Sequence, residues 1–498
     1  MALQVLVAGA GPVGLTMASE LARFGVSVRV VDKASQRTDK SKALVLWPRT
    51  LELLQELAPV DDFIAAGQKV VTANMWSGGA SIAHIHLDVV KSPYPYALMV
   101  PQSETERVLE ERLGSLRLAV ERQVELVRFE ERGEKVASVL RHADGREETV
   151  ESDWLVGCDG AHSAVRHGLG MEFEGDTIQN DFVLADIHVS GMRADPPELN
   201  IYLHREGVLV FFPITSTRYR VIADLGEAKG ERPADPTLPH IQAIIDQRGP
   251  GSIAVSDPIW LSAFRINERK VRDYRRGRVF LAGDAAHVHS PAGGQGMNTG
   301  MQDAFNLAWK LALACRNICG PDVLDSYSSE RSLIGDRVLA DAGRLTAIAT
   351  IRNPILQTVR NTMGHMLLGL APLREAMAGK LTEVSIGYPG SPLNGQDAGG
   401  LDGPAPGDRI APTADGTRWT VGDAPRFMLF AEAGDDTERL CLEFPDLLDR
   451  KVRPALHDGG LWLARPDGYT AAATRAGNIA VLADYLRALR PRSESVSS

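Results

Sequence analysis

A glycine-rich turn near the N-terminus constrains the fold of this chain more than any other sequence feature. The apolar run 5–8 has the composition of a buried parallel strand, and the turn 9–14 (GAGPVG) follows it immediately. Apolar residues at helical spacing predict a helix over 15–24, and a second strand is predicted at 26–31, closed by Asp32. This order predicts a strand–turn–helix–strand unit that binds a dinucleotide.

The three glycines of this turn have separate physical roles. Gly9 permits the tight turn, Gly11 lets backbone amides approach a pyrophosphate, and Gly14 lets the helix pack close to the sheet. The helix N-terminus presents unpaired N–H groups to the phosphates. Asp32 can accept hydrogen bonds from the hydroxyls of an adenosine ribose. The unit by itself does not distinguish NAD from FAD.

A second turn follows another predicted strand, in the segment 154–166. Asp159 and Gly160 form the turn, and Ser163 is predicted to cap the helix that comes next. The glycine spacing is not that of a second dinucleotide fingerprint. The chain is therefore predicted to hold one dinucleotide permanently.

A third strand and turn occupy the segment 277–298, which contains Gly283 and Asp284 and ends in a glycine-rich loop. A helix is predicted from about Thr299 to Cys315. Asp284, at a strand end, is placed to accept hydrogen bonds from the hydroxyls of a sugar-like chain. The positive end of the helix dipole would stabilise the negative charge of a reduced flavin.

In this order and separation, the three motifs resemble those of the class A flavoprotein aromatic hydroxylases. That family includes 4-hydroxybenzoate hydroxylase and, closer in length, the bacterial phenol and aromatic polyketide hydroxylases. The resemblance covers the whole chain and implies FAD as the cofactor, with Asp32 where the family usually has Glu. By motif position, the resemblance and the first turn together assign cofactor binding to Gly9, Gly11, Pro12, Val13, Gly14, Asp32, Lys33, Lys42, Gln102, Asp159, Asp284, Pro291, Gly294, Gly296, Met297 and Asn298.

The resemblance also implies the reaction. NADH or NADPH would visit transiently to reduce FAD, and O₂ would give a flavin C4a-hydroperoxide that hydroxylates a phenolic or polyketide aromatic substrate. The residue that activates the substrate is not identified, and Arg49, His204 and His289 are candidates. Three alternatives stay open: a Baeyer–Villiger or epoxidising oxygenase, a non-oxygenating flavin dehydrogenase or reductase, and a non-catalytic flavin-binding or protein-interaction module.

The rest of the chain predicts an α/β protein with three units. Alternating strands between 182 and 265, joined by strands near 70–76 and 82–87, predict one mainly antiparallel sheet that would cover the substrate. Trp47, Trp76, Tyr96, His204, Phe211 and Phe212 are possible lining residues of the pocket beneath it. The predicted units are a Rossmann-like FAD-binding domain (1–73, 100–181 and 266–390), the inserted substrate-binding sheet domain (74–99 and 182–265) and a C-terminal domain resembling thioredoxin (391–498). The last unit has no CxxC and so no predicted thiol chemistry.

Composition excludes several other classes. The chain has 498 residues and a formal charge of −10, which argues against a nucleic-acid binder or a polybasic membrane anchor. No apolar run of 18 residues predicts a membrane span, and the apolar N-terminus lacks a basic leader, so a cytoplasmic location is expected. No metal site is predicted, and the chain is expected to be a monomer or homodimer.

Two further expectations concern helical segments. Cys315 and Cys319 are expected to share one helix face as buried apolar residues, among four cysteines with no disulfide framework. Residues 340–380 carry a Met and Leu stripe, which predicts either core packing or a dimer contact.

Overall fold

A computed structural model describes residues 2–38, 43–192, 196–368, 370–395, 401–412, 419 and 423–491. Their strands are β1 Val5–Ala8, β2 Val28–Asp32, β3 Val45–Leu46, β4 Gln68–Val70, β5 Thr72–Ser77, β6 Ala80–His86, β7 Ala97–Met99, β8 Glu121–Arg122, β9 Glu125–Arg132, β10 Lys135–Arg141, β11 Glu147–Ser152, β12 Trp154–Gly157, β13 Glu174–Ser190, β14 Leu199–His204, β15 Gly207–Pro213, β16 Arg218–Glu227, β17 Ala254–Lys270, β18 Arg275–Arg276, β19 Val279–Leu281, β20 His287–Val288, β21 Met428–Phe430, β22 Gly460–Ala464 and β23 Thr470–Arg475. Their helices are α1 Pro12–Arg23, α2 Pro48–Leu57, α3 Val60–Ala65, α4 Gln102–Ser115, α5 Ala164–Gly168, α6 Leu238–Arg248, α7 Gly296–Cys315, α8 Asp322–Ala349, α9 Pro354–Leu368, α10 Ala371–Leu381, α11 Asp435–Glu443 and α12 Ile479–Leu489.

A six-stranded sheet in the order β18-β19-β12-β1-β2-β8 forms the first layer. Strand β1 lies inside it, paired in parallel with β12 and β2, and all four of its residues are buried. Burial on both faces explains its continuous apolar sequence. Because parallel strands end at the same sheet edge, the turns after β1, β12 and β19 meet there, as an α/β dinucleotide-binding fold requires.

An eight-stranded sheet forms the second layer, in the order β20-β17-β13-β16-β15-β14-β5-β6. It contains the strands predicted between 182 and 265 together with those near 70–76 and 82–87, so the expectation of one sheet is confirmed. The 17-residue strand β17 was not predicted, since its sequence mixes charged and apolar residues without regular alternation. One face packs on helix α6 through Phe211 and Ile245, and the other turns toward the first layer.

The C-terminal residues form a three-stranded antiparallel sheet, β21-β22-β23, with helices α11 and α12. Phe427 and Leu486 belong to the same buried cluster as Val5 and Leu313 of the N-terminal part, so the two regions share one hydrophobic core.

One sequence expectation about helices is wrong. Helix α7 ends at Cys315, and Asn317 then adopts a left-handed backbone conformation (φ 54°), so Cys319 lies beyond the helix and shares no face with Cys315. Helix α9 has no buried residue, so core packing does not account for its apolar stripe, and the dimer contact stays a prediction. Within the described ranges, every helix is too short or too polar to cross a bilayer.

Candidate functional site

A cavity of about 490 Å³ lies where the glycine-bearing turns meet the second layer. A smaller cavity of about 240 Å³ adjoins it, and both are lined by Gly11, Asp32, Cys158 and Gly160. The larger cavity is lined by ten of the predicted residues, Gly11, Pro12, Val13, Asp32, Gln102, Asp284, Pro291, Gly294, Gly296 and Met297. The smaller one adds Gly9, Lys33 and Asp159.

The first turn has the geometry that its three glycines require. A Cβ atom on Gly9 (φ 97°) would lie 2.3 Å from the carbonyl oxygen of Cys158, and one on Gly14 would lie 1.9 Å from the carbonyl oxygen of Gly9. A Cβ on Gly11 would meet no protein atom within 4 Å, because this residue faces the open cavity. The backbone is thus tightly packed behind the turn and open in front of it, which fits a pyrophosphate group.

Asp32 lies at the end of β2 and organises the wall of the cavity. Its Oδ2 accepts a hydrogen bond from the backbone N–H of Ala10 (2.7 Å), and its Oδ1 accepts one from that of Ala34 (2.7 Å). The guanidinium of Arg122 lies 4.0 Å from Oδ2, because β8 pairs beside β2 with these two residues in register. Sequence reasoning missed Arg122, since no local motif marks a strand of two residues.

The turn after β12 is fixed by its own side chains. Asp159 accepts hydrogen bonds from the Ser163 hydroxyl (2.5 Å) and the Val165 N–H (3.2 Å). Ser163 caps α5 as predicted, accepting from the N–H of Arg166 (2.9 Å). The buried Arg166 guanidinium donates to the carbonyl oxygens of Ala161 (2.8 Å) and Ala285 (3.1 Å), which holds the second and third turns together.

A buried carboxylate holds the third turn from below. Asp303 of α7 accepts from the N–H of Gly283 (2.9 Å), from His287 Nε2 (2.9 Å) and from Arg331 Nε (2.6 Å). Burial alone would raise the pKa of Asp303, but the charges of Arg331 and His287 outweigh it and hold the pKa below its ordinary value. The turn is therefore rigid, while its Asp284 remains exposed at the cavity.

The glycine-rich loop is anchored by Asn298, which is not among the lining residues. Its Oδ1 accepts from the N–H of Trp47 (2.8 Å), and its Nδ2 donates to the carbonyl oxygens of Val45 (2.9 Å) and Gly294 (3.0 Å). Helix α7 begins at Gly296, three residues before the predicted start. The positive end of its dipole therefore lies at the cavity wall.

The second layer supplies the opposite wall through Phe212, Arg220 and Ile222. Arg220 is buried and forms a two-pronged ion pair with Asp186, with both N–O distances 2.8 Å. Sequence reasoning missed Arg220 and Ile222, because strand alternation shows which residues share a face but not which face turns toward the cavity. Of the six aromatic and histidine residues predicted to line the pocket, Phe212 lines this cavity.

The three candidates for substrate activation lie in different places. His289 lines the cavity, where its Nδ1–H donates to the Ser290 carbonyl oxygen (2.9 Å), and burial together with His287 lowers its pKa to about 4. Arg49 is fully buried and donates to the backbone oxygen of Asp467 (2.6 Å) in the C-terminal region. His204 lines a separate cavity of about 300 Å³. Lys42 lies outside the described residues.

The fold is that of a dinucleotide-binding protein, and residues of its three glycine-bearing turns line two adjoining cavities. Residues 2–342 match the family described as FAD binding domain, and the chain belongs to this family. It is a flavin-dependent monooxygenase, with FAD, NAD(P)H and O₂ as the reagents of its class.

Known proteins resemble this chain over nearly its whole length. A 6-methylpretetramide 4-monooxygenase of Streptomyces rimosus is 37% identical over 531 residues, covering 98% of this chain and 93% of that protein. The structure of an anhydrotetracycline hydroxylase from Streptomyces rimosus matches with a TM-score of 0.81 at 28% identity, over 99% of this chain and 100% of that one. An aromatic hydroxylase from angucycline biosynthesis matches with a TM-score of 0.79 at 28% identity, with the same coverage.

Proposed function

We propose that this enzyme hydroxylates a polycyclic aromatic polyketide held between the flavin and the second layer. The observation that carries the proposal is the continuity of one cavity, from Gly11 at the first turn to Phe212 and Ile222 on the sheet. A cofactor lying along the turns would present its reactive end to an apolar wall. The tetracycline and angucycline hydroxylases among the relatives support a fused-ring substrate.

The residues of the cavity fit FAD part by part. The open face of Gly11 and the start of α1 suit the pyrophosphate, and Asp32 suits the adenosine ribose. Asp284 suits the hydroxyls of the ribityl chain, and the start of α7 at Gly296 suits the flavin ring. When bound, FAD supplies electron transfer from NAD(P)H to O₂ and transfer of one oxygen atom to the ring.

The chain's own contribution is binding, orientation and the exclusion of water. Phe212 and Ile222 give an apolar surface for an aromatic ring, while Asp186 offsets the charge of Arg220 at the same wall. The positive end of α7 stabilises negative charge that develops nearby. Holding the ring in a dry cavity favours oxygen transfer to carbon over loss as hydrogen peroxide.

We infer a thioredoxin-like fold for the C-terminal region, in a structural role. Its three-stranded sheet flanked by two helices supports this assignment. Arg465 of this region forms a fully buried ion pair with Glu330 of α8 (2.6 Å). We infer that this pair fixes the orientation of the two parts it joins, because breaking it would leave buried charge short of a partner.

The experiment measures NAD(P)H oxidation by the purified enzyme with tetracyclic and angular polyketides, followed by mass analysis under ¹⁸O₂. The proposal expects substrate-stimulated oxidation and one labelled oxygen atom in the product. Ile222→Trp, which fills the cavity at the sheet, should lower coupling and leave FAD bound, whereas Ile259→Trp at an exposed site should change neither. NAD(P)H oxidation that no polyketide stimulates, or product without label, would refute the proposal.

A further inference from the structure

Helix α9 is attached to the protein with its apolar side facing outward. Six of its large apolar side chains are 44–74% exposed. At 100° per residue they fall within an arc of about 120° on the helix surface. They are Ile355, Leu356, Val359, Met363, Met366 and Leu367, and they are called the α9 stripe below.

The opposite side of the helix makes the contacts with the rest of the chain, and Leu368 is the large apolar residue among them, packing against the cluster that contains Ile82 and Leu203. Asn361 donates to the hydroxyl of Ser77 on β5 (2.9 Å). Gly364 lies so close to Ile82 of β6 that a Cβ atom there would be 3.1 Å from its side chain. A surface helix of a monomer normally buries most of its large apolar side chains, whereas α9 exposes six of them and packs Leu368 inward.

The exposed apolar surface is concentrated at this place. Nine of the fourteen exposed large apolar side chains in the described ranges lie between Ile348 and Leu373. The full surface of each residue is taken as about 1.45 Å² per dalton, the value for an extended chain. Multiplied by the exposed fraction of each residue, the nine surfaces sum to roughly 800 Å². A specific interface takes about 800 Å² from each partner, and the largest apolar patch of a typical monomer is about 300–600 Å². The six residues of the α9 stripe supply roughly 570 Å² of this area. An interface of standard size therefore needs Ile348, Leu370 and Leu373 beside the stripe.

The α9 stripe is symmetric about Asn361. Ile355 and Leu367 lie at equal distances along the sequence from this residue, as do Leu356 and Met366, and Val359 and Met363. Two copies of α9 can cross antiparallel, with a two-fold axis that passes through the stripe at the level of Asn361. Each stripe residue then meets a stripe residue of the other copy. A self-complementary patch of this kind is what a two-fold interface requires.

The charges on α9 also favour a second copy of this chain as the partner. Arg360 is the one charged residue of α9 other than the titratable His365. The Arg360 guanidinium is turned back to its own chain, donating to the carbonyl oxygen of Ile348 (3.2 Å) and the side chain of Asn361 (3.1 Å). Two copies therefore bring no like charges together, whereas a helix that binds anionic lipid presents free basic side chains.

We propose that the enzyme is a two-fold homodimer in which the α9 stripe of one copy packs on the α9 stripe of its partner. Val359 and Met363 lie beside the two-fold axis and face each other across it. The dimer would bury the apolar side of α9 in both copies.

The experiment measures the molar mass of the purified holoenzyme at micromolar concentration by light scattering and by sedimentation equilibrium. The wild type is expected at twice the mass of one chain. The double variant V359E/M363E places like charges across the axis and should raise the dimer dissociation constant by at least about 100-fold. Mixing it with V359K/M363K should restore a dimer containing one chain of each.

Leu442→Glu, at an apolar position 70% exposed outside the α9 stripe, is the matched control and should leave the mass unchanged. Circular dichroism checks that each variant is folded. A monomeric wild type would overturn the proposal, and so would a dimer that persists in V359E/M363E. A monomer that sediments with phosphatidylserine vesicles would overturn it in favour of a lipid surface.

Discussion

A buried, neutral carboxyl at Glu383 makes the stability of this enzyme depend on pH. Glu383 follows helix α10, is 1% exposed and adopts a left-handed backbone conformation (φ 61°). Its carboxyl accepts hydrogen bonds from the Thr299 hydroxyl (3.1 Å) and the Gln302 amide (2.6 Å), both on α7. Burial raises the pKa of Glu383 to about 8, against the opposing effect of these hydrogen bonds and of Arg331.

The magnitude follows from the linkage between protonation and folding. The ordinary pKa of 4.5 applies to the unfolded chain, so between pH 4.5 and 8 the folded protein holds a proton that the unfolded chain has lost. The contribution of Glu383 to the free energy of unfolding is largest below pH 4.5. It falls by about 1.4 kcal/mol per pH unit between pH 4.5 and 8. Between pH 5 and 7 the loss in the free energy of unfolding is about 3 kcal/mol.

Glu383→Gln keeps the shape of the side chain and removes the proton equilibrium. Its NH2 group cannot accept one of the two hydrogen bonds, which changes the stability by an amount that does not depend on pH. The free energy of unfolding of this variant, minus that of the wild type, should therefore increase by about 3 kcal/mol from pH 5 to pH 7. Urea unfolding at several pH values measures the difference, in which all other titrating groups cancel. Glu375→Gln removes an exposed carboxylate from α10 and corrects for the change in net charge. A difference that stays constant with pH would refute a neutral Glu383.

Four further outcomes are expected. Gly11→Ala should leave the thermal midpoint of the FAD-free protein unchanged and weaken FAD binding at least about tenfold, measured by flavin fluorescence, because the added methyl group enters only the cavity. Gly14→Ala should instead lower that midpoint, because its Cβ would overlap the Gly9 backbone; equal effects of the two changes would contradict the roles given to these glycines. Glu330→Gln should cost about 3–5 kcal/mol in urea unfolding, since it leaves the buried Lys310 without its ion-pair partner and Arg465 with Asp467 alone, and a neutral effect would count against the ion network. Burial raises the pKa of the Cys158 thiol, so iodoacetamide should label it only after denaturation, and rapid labelling of the native protein would contradict this.

Much of the fold could be predicted from local sequence. The strand β1, the glycine turn and helix α1 are predicted at nearly their observed bounds, because each is specified by residues that are adjacent in the chain. The mainly antiparallel sheet was predicted from alternation in short segments. Strand β17 was missed, since its residues take their partners from β13 and β20 and have no strong pattern of their own.

The candidate site likewise contains residues that the sequence predicted and residues that it did not. Residues of the three turns were found from motifs, and most of them line the two adjoining cavities. Arg220 and Ile222 were missed, and Arg49 and His204 lie away from the larger cavity. Their positions depend on which face of a strand or helix turns toward another layer, and an isolated segment does not contain that information.

By itself, the sequence determined the strand-and-turn units of a dinucleotide-binding fold, because glycine geometry and strand composition act over a few neighbouring residues. The resemblance of its three motifs to a known family indicated FAD and the enzyme class. Only the tertiary structure decided that Asp303 and Arg166 hold the turns in place, that Phe212 faces the cavity while Phe211 faces α6, and that α9 carries its apolar side outward. These features depend on contacts between residues far apart in the chain, and such contacts form only when the layers pack.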